Sequence, residues 1–148
     1  MGLTIRPAIP GDLTTIAAMI EEIERYYGAS TIQPVAEREA QVQQALFDSP
    51  PLAQVLLADT GDGTVIGLAA YSYLWPAAGA THSLFLKELY VRDTARRQGV
   101  ASALLDALRS IAAARVGCSR VEWLADRDNP PAVAFYQALG VTPLDGKL

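Results

Sequence analysis

The chain is poor in the residues that build metal and disulfide sites. Its 148 residues hold one cysteine, Cys118, and one histidine, His82. A disulfide framework within the chain is excluded, and a Cys/His zinc site cannot be assembled from two such ligands; both residues read as structural. Long apolar runs are lacking too. No stretch approaches the roughly 20 residues of a membrane span, and MGLTIRPAIPGD shows no basic region followed by a long apolar one, as a secretory leader would. The expectation is a cytoplasmic protein with no membrane partner. Charged residues make up only 19% of the chain, and 12 Lys plus Arg against 16 Asp plus Glu leave a net −4, which argues against a nucleic-acid partner. Apolar residues, by contrast, are plentiful at 51%. That excludes disorder. At this length it implies a single domain, 1–148, with a core that needs no staples.

The charge is unevenly spread. Residues 1–74 carry Arg6, Arg25 and Arg38 against nine acids, so 3 − 9 = −6, whereas residues 75–148 carry nine bases against seven acids, so 9 − 7 = +2. A polyanionic ligand would prefer the second half and a cationic one the first. Ordinary solvated helix faces produce the same asymmetry.

Periodicity and punctuation outline the elements. Leu3 to Arg6 reads as a short strand, and Asp12 after Pro10-Gly11 as a helix cap. Leu13, Ile16, Ala17, Ile20, Ile23 and Tyr27 recur at helical spacing, with Gly28 as the stop. A second helix is expected from Pro34 to about Phe47, ended by Ser49-Pro50-Pro51. QVLLA (54–58) and TVIGLAAYSYL (64–74) flank Asp59-Thr60-Gly61-Asp62-Gly63, a hairpin signal, and LFLKELYV (84–91) follows the WPAAGA turn as a third antiparallel strand. Gly99 opens a helix with Val100, Leu104, Leu108 and Ile111 on one face. SRVEWLA (119–125) is a strand, Pro130 to Leu139 a short helix capped by Asp128 or Asn129, and Val141 to Leu144 a last short strand. Strand, helix, strand implies a parallel crossover. The expected class is α/β (α+β), with a mixed, mostly antiparallel sheet and helices on both faces. No internal repeat, linker or low-complexity tract interrupts it.

One segment suggests chemistry. Arg96-Arg97-Gln98-Gly99-Val100-Ala101 lies between a strand and a helix, and Gly99 and Ala101 put little side chain over the backbone. The first amides of a helix have no intrahelical partners and carry roughly +0.5 of a charge, which suits a pyrophosphate. A tightly packed turn uses the same small residues. The spacing is neither the Gly-x-Gly-x-x-Gly of a dinucleotide fold nor a Walker loop.

LKELYVRDTARRQGVASALLDAL followed by WLADRDNPPAVAFYQALGV resembles the GNAT N-acetyltransferase superfamily, most strongly from Leu84 to Val141. Asn129, Ala132, Ala134, Phe135-Tyr136 and Gly140 follow that family's second motif in spacing. The meander and the Asn-Pro-Pro-Ala block are most similar to the diamine acetyltransferase-like branch. The resemblance implies acetyl-CoA as co-substrate and no metal. Leu89, Tyr90 and Val91 would offer backbone groups to the acetyl and pantetheine parts, in a slot where this strand splays from the next. Arg96, Arg97, Gln98, Gly99, Val100, Ala101 and Ser102 would cradle the pyrophosphate, and Asn129 and Ala132 would touch the pantetheine arm. Tyr136 would face the sulfur.

The chemistry needs groups of these types. An alkylamine of pKa near 10.4 is neutral in only about one molecule in 2,500 at pH 7, a cost of about 4.6 kcal/mol. A base must take its proton, a donor must meet the developing oxyanion, worth about 2.7–4 kcal/mol, and an acid must protonate the leaving thiolate. The resemblance supplies the Val91 amide as donor and Tyr136 as acid. Tyr136 also reads as a half-buried aromatic with a satisfied hydroxyl. Glu88 is the best-placed base, with Glu24 or a water chain as rivals, and alternation puts Glu88 and Tyr90 on one face and Lys87 and Leu89 on the other. The diamine branch carries a carboxylate where this chain has Lys87. Glu21, Glu22 and Glu24 read as a solvated helix face that could draw in a cationic amine. Of Tyr26, Tyr27, Tyr71, Tyr73 and Trp75, one or two would wall the acceptor pocket, and Gly28 to Gln33 its rim. The family normally ends in a full strand, shorter here, so a homodimer completing the sheet is expected. The reading is an N-acetyltransferase acting on a small primary amine. Its alternatives are a protein or peptide N-acetyltransferase and a non-catalytic CoA-binding regulatory module.

Overall fold

The computed structural model of the chain describes residues 2–124 and 130–138. Its strands form one sheet in sequence order: β1 (Thr4–Pro7), β2 (Gln54–Asp59), β3 (Val65–Leu74), β4 (His82–Val91) and β5 (Cys118–Trp123). The first three junctions are antiparallel, and β4 pairs with β5 in parallel. The helices are α1 (Leu13–Tyr26), α2 (Val35–Val42), α3 (Val100–Ala114) and α4 (Pro130–Ala138). This is the mixed α/β sheet that the sequence predicts, with strand ends moved by one or two residues. The strand expected at Val141–Leu144 lies outside the described residues.

The sheet is buried on both faces, which explains the continuous apolar run of β2. Val55 and Leu57 join Ile16, Ala17, Met19, Val42, Val65 and Leu68 beneath α1 and α2. Leu56 and Ala58 join Ala69, Leu84, Leu86, Leu104, Leu105 and Leu108 beneath α3. Gly67 in β3 allows that helix to approach. A Cβ there would lie 2.9 Å from Val100 Cγ1 and 3.2 Å from Leu104 Cδ1. Gly67 pairs with Val91, so the close approach sets the start of α3 over the end of β4.

Three local expectations change. Asp12 does stand at the head of α1, but its side chain makes no cap bond there. It accepts from Arg6 at 2.9 and 3.0 Å and from the Ile9 amide at 2.8 Å, because a charged, bidentate donor outcompetes a helix amide. The second helix is α-helical only to Val42 and continues as a π turn over Gln43–Phe47. Strict alternation in β4 is broken. Glu88 pairs with Ala70 and Leu86 with Tyr71, so Lys87 is an extra, bulged residue. Leu84 and Leu86 face α3 before the bulge, and Leu89 and Val91 pack on that core after it. α1 ends near Gly28 as expected; its φ is +81° and its amide bonds back to Arg25.

Candidate active site

The β4–β5 ladder stops at Leu86 and Trp123. Lys87 to Val91 continue beside β3 alone, and a cleft of about 290 Å³ opens along their free edge. Ile23, Tyr26 and Tyr27 from the end of α1 form one wall, and Trp123, Leu124 and Tyr136 the other. The bulge at Lys87 turns the strand where the ladder ends, a usual place for such a device.

Backbone polarity along this edge follows from two bonds. The Arg92 amide donates to the Ile66 carbonyl across β3 at 2.9 Å. Successive residues of a strand point their polar groups to opposite sides, so the Val91 amide faces the cleft. The Val91 carbonyl faces the same way and accepts from Arg96 Nε at 3.0 Å. Arg96 is further held by Asp93 at 2.7 Å and lies 5.2 Å from the Tyr26 ring centroid. It thus closes one end of the cleft.

Beyond Arg96 the chain turns through positive φ at Arg97 (63°) and Gly99 (77°) into α3. Ala103 is the first residue of that helix to bond back, to the Gly99 carbonyl at 3.0 Å. Among the described residues, no backbone acceptor reaches the amides of Arg97, Gln98, Gly99, Val100, Ala101 and Ser102. Nothing lies within 4 Å of where a Gly99 Cβ would stand. An open row of donors at a helix start fits an anionic group of a ligand.

Two titratable groups of the cleft, Glu88 and Tyr136, are held toward their neutral forms. Burial raises the Glu88 carboxyl above its ordinary range, with Lys87 pulling it back. Burial raises the Tyr136 phenol, helped by Tyr27 and Glu88. The Tyr136 ring meets Trp123 at a tilt and Phe135 edge-on, each with centroids 5.3 Å apart, which restrains it. Tyr90 is also in the cleft wall, but its hydroxyl is committed, donating to Glu22 at 2.9 Å. Arg92 grips the same carboxylate at 2.9 and 3.2 Å and thereby ties α1 to β4.

The structure therefore gathers Glu88, Leu89, Tyr90, Val91, Arg96 and Tyr136 around one cleft. Arg97, Gln98, Gly99, Val100, Ala101 and Ser102 form the adjoining turn and first helical residues. Ala132 belongs to α4, and Asn129 lies outside the described residues. Glu24 does not line the cleft; with Glu21 it faces the buried Arg38, at 4.0 and 3.1 Å. Trp123 and Leu124 line the cleft without having been expected there, and the bonds that join Glu22 to Arg92 and Tyr90 were not expected either. Apolar spacing carries no sign of them, since they meet only through tertiary packing. The bulge did leave a trace, because the apolar positions 84 and 86 change phase to 89 and 91.

The chain matches the Acetyltransferase (GNAT) family over residues 16–141. It belongs to that family. This GNAT acetyltransferase is 25% identical to a thialysine N-epsilon-acetyltransferase of Sus scrofa, over 95% of this chain and 84% of that one. It is 27% identical to an L-ornithine N5-acetyltransferase of Arabidopsis thaliana over 64% of its length, a stretch spanning 41% of the plant protein. A V. cholerae integron cassette protein superposes with a TM-score of 0.88 at 25% identity, covering all of this chain and 90% of the other. Among the described residues no group of His, Cys, Asp and Glu could hold a metal ion, and no helix is long and apolar enough to cross a membrane.

Proposed function

We propose that this acyltransferase moves the acetyl group of acetyl-CoA to a small primary amine by direct attack. The observation that carries the reading is the open edge of β4. There the Val91 amide, Glu88 and Tyr136 share one cleft, beside six amides that no backbone acceptor reaches among the described residues. Those amides fit the pyrophosphate, and the gap between β4 and β5 fits an extended arm. Acetyl-CoA supplies an activated acyl carbon and a thiol leaving group.

This chain's residues supply the rest. Glu88 accepts the ammonium proton, directly or through water, and its raised affinity for a proton suits that task. The Val91 amide donates to the oxygen that gains charge. Tyr136 stays protonated because burial raises its phenol, so it can donate to the departing sulfur. Arg96 to Ser102 hold the phosphates, and Asn129 and Ala132 the pantetheine arm. A small acceptor agrees with a cleft of about 290 Å³ and with relatives named for ornithine and thialysine.

The test is thiol release from acetyl-CoA against a panel of primary amines. We expect turnover with at least one small amine, and Tyr136→Phe to reduce kcat by about 10²–10⁴ while acetyl-CoA affinity holds. Binding of CoA with no release on any amine would instead favour a CoA-binding regulatory module.

A further inference from the structure

The cleft holds two ionisable side chains of opposite type that make no ion pair among the described residues. Lys87 and Glu88 are neighbours at the β4 bulge, and both line the cleft. Among the described residues neither makes an ion pair. The charges around them are engaged: Glu22 by Arg92, Arg96 by Asp93, Glu21 and Glu24 by Arg38. The acidic face of α1, which the sequence offers as a lure for cations, is therefore largely spent within the protein. Among the described residues, Lys87 and Glu88 are thus an ammonium and a carboxyl side by side in the cleft wall with no ion-pair partner of their own.

The bulge makes this pairing. Strict alternation would send adjacent side chains to opposite faces. With Lys87 as the extra residue, two positions of β4 share the interval of one on β3. Their Cα atoms are about 3.8 Å apart, and the four-carbon stem of Lys87 lets its ammonium stand well away from the shorter, half-buried Glu88. A ligand with opposite charges separated by a few methylenes would neutralise both groups. A ligand with two ammonium groups would satisfy Glu88 and oppose Lys87, and like charges in an interface select against a partner.

Building on the acetyltransferase reading above, we propose that Lys87 is a specificity-determining residue that receives a carboxylate of the acceptor. The preferred substrate class is then an amino acid bearing a terminal side-chain amine. The amine enters toward Glu88 and the carboxylate toward Lys87. Plain diamines are the class that Lys87 rejects.

Matched acceptors isolate the effect: L-lysine, and cadaverine, which is the same chain with hydrogen in place of the carboxylate. Thiol release gives kcat and KM for each, and calorimetry on the CoA-saturated protein gives the affinity of each. The native protein should favour lysine by about tenfold or more, chiefly through KM and Kd. Lys87→Gln should erase the preference and Lys87→Glu reverse it, read as the lysine-to-cadaverine ratio within each variant. Lys87 is exposed, so neither change removes core packing. A native preference for cadaverine, or a ratio untouched by both variants, overturns the proposal. Absence of thiol release with every amine overturns the acetyl-transfer reading instead, and the calorimetric ratio still decides the role of Lys87.

Discussion

Glu88 is ionised only against the cost of its burial, which sets function against stability at a single residue. Its folded pKa lies above the ordinary carboxylate value of 4.5. The stability that the protonated form contributes is fully present below that value and is lost as pH rises through the raised one. Glu88→Gln should therefore raise the melting temperature at neutral pH, and the gain should vanish below about pH 4. The same change should remove the acid limb of the kcat/KM profile, which in the native enzyme rises with pH through the raised value. Tyr136→Phe makes a cleaner lesion, because the ring keeps its contacts with Trp123 and Phe135 and only the proton donor is gone. An unchanged kcat in that variant would remove Tyr136 as the acid.

Among the elements, the start of α3 is placed by what it packs on. Val100, its first residue, rests over Gly67, where an added Cβ would come within 2.9 Å. Gly67→Val should destabilise the fold by about 1–3 kcal/mol through overpacking. It should also weaken CoA binding, since the row of amides from Arg97 to Ser102 moves with Val100. Chemical denaturation and calorimetry would measure the two effects, and loss of stability with intact affinity would uncouple them. Gly99→Glu attacks the same row from outside. The side chain has open space around it, yet it must adopt a left-handed φ, at about 1–2 kcal/mol, and it brings an anion to the proposed phosphate site. CoA affinity should be lost while the protein still melts cooperatively.

The whole molecule is held at its first edge by a compact ionic knot. Arg6 on β1 bonds Asp12 at 2.9 and 3.0 Å and Asp59 on β2 at 3.2 Å. Its contact with Arg6 lowers the Asp12 pKa, against the opposing effect of burial. Stability from a lowered carboxylate is present above its unfolded value of 3.8 and is lost as pH falls through the lower folded one. Asp12→Asn should cost about 2 kcal/mol at neutral pH, and its stability should respond less to acid below about pH 4 than the native protein's. A melting series in pH would show it, and parallel curves would assign acid lability elsewhere.

How much of this was legible beforehand follows from the range of each interaction. Helices and strands declare themselves through local periodicity, and Gly28, Gly99 and the Asp59–Gly63 turn through backbone freedom, so the element order, the mixed sheet and the start of α3 at Gly99 could be read from the chain. Glu88, Val91 and Arg96 were candidates because the motif places them together along a few residues. Tertiary structure alone decided that β4 parts from β5 after Leu86, that Lys87 bulges into the cleft, and that the acids of α1 are consumed by Arg38 and Arg92. These depend on partners far apart in sequence, whose meeting is set by packing on both faces of the sheet. A residue pattern records which groups are available. Only the folded chain determines which remain unpaired.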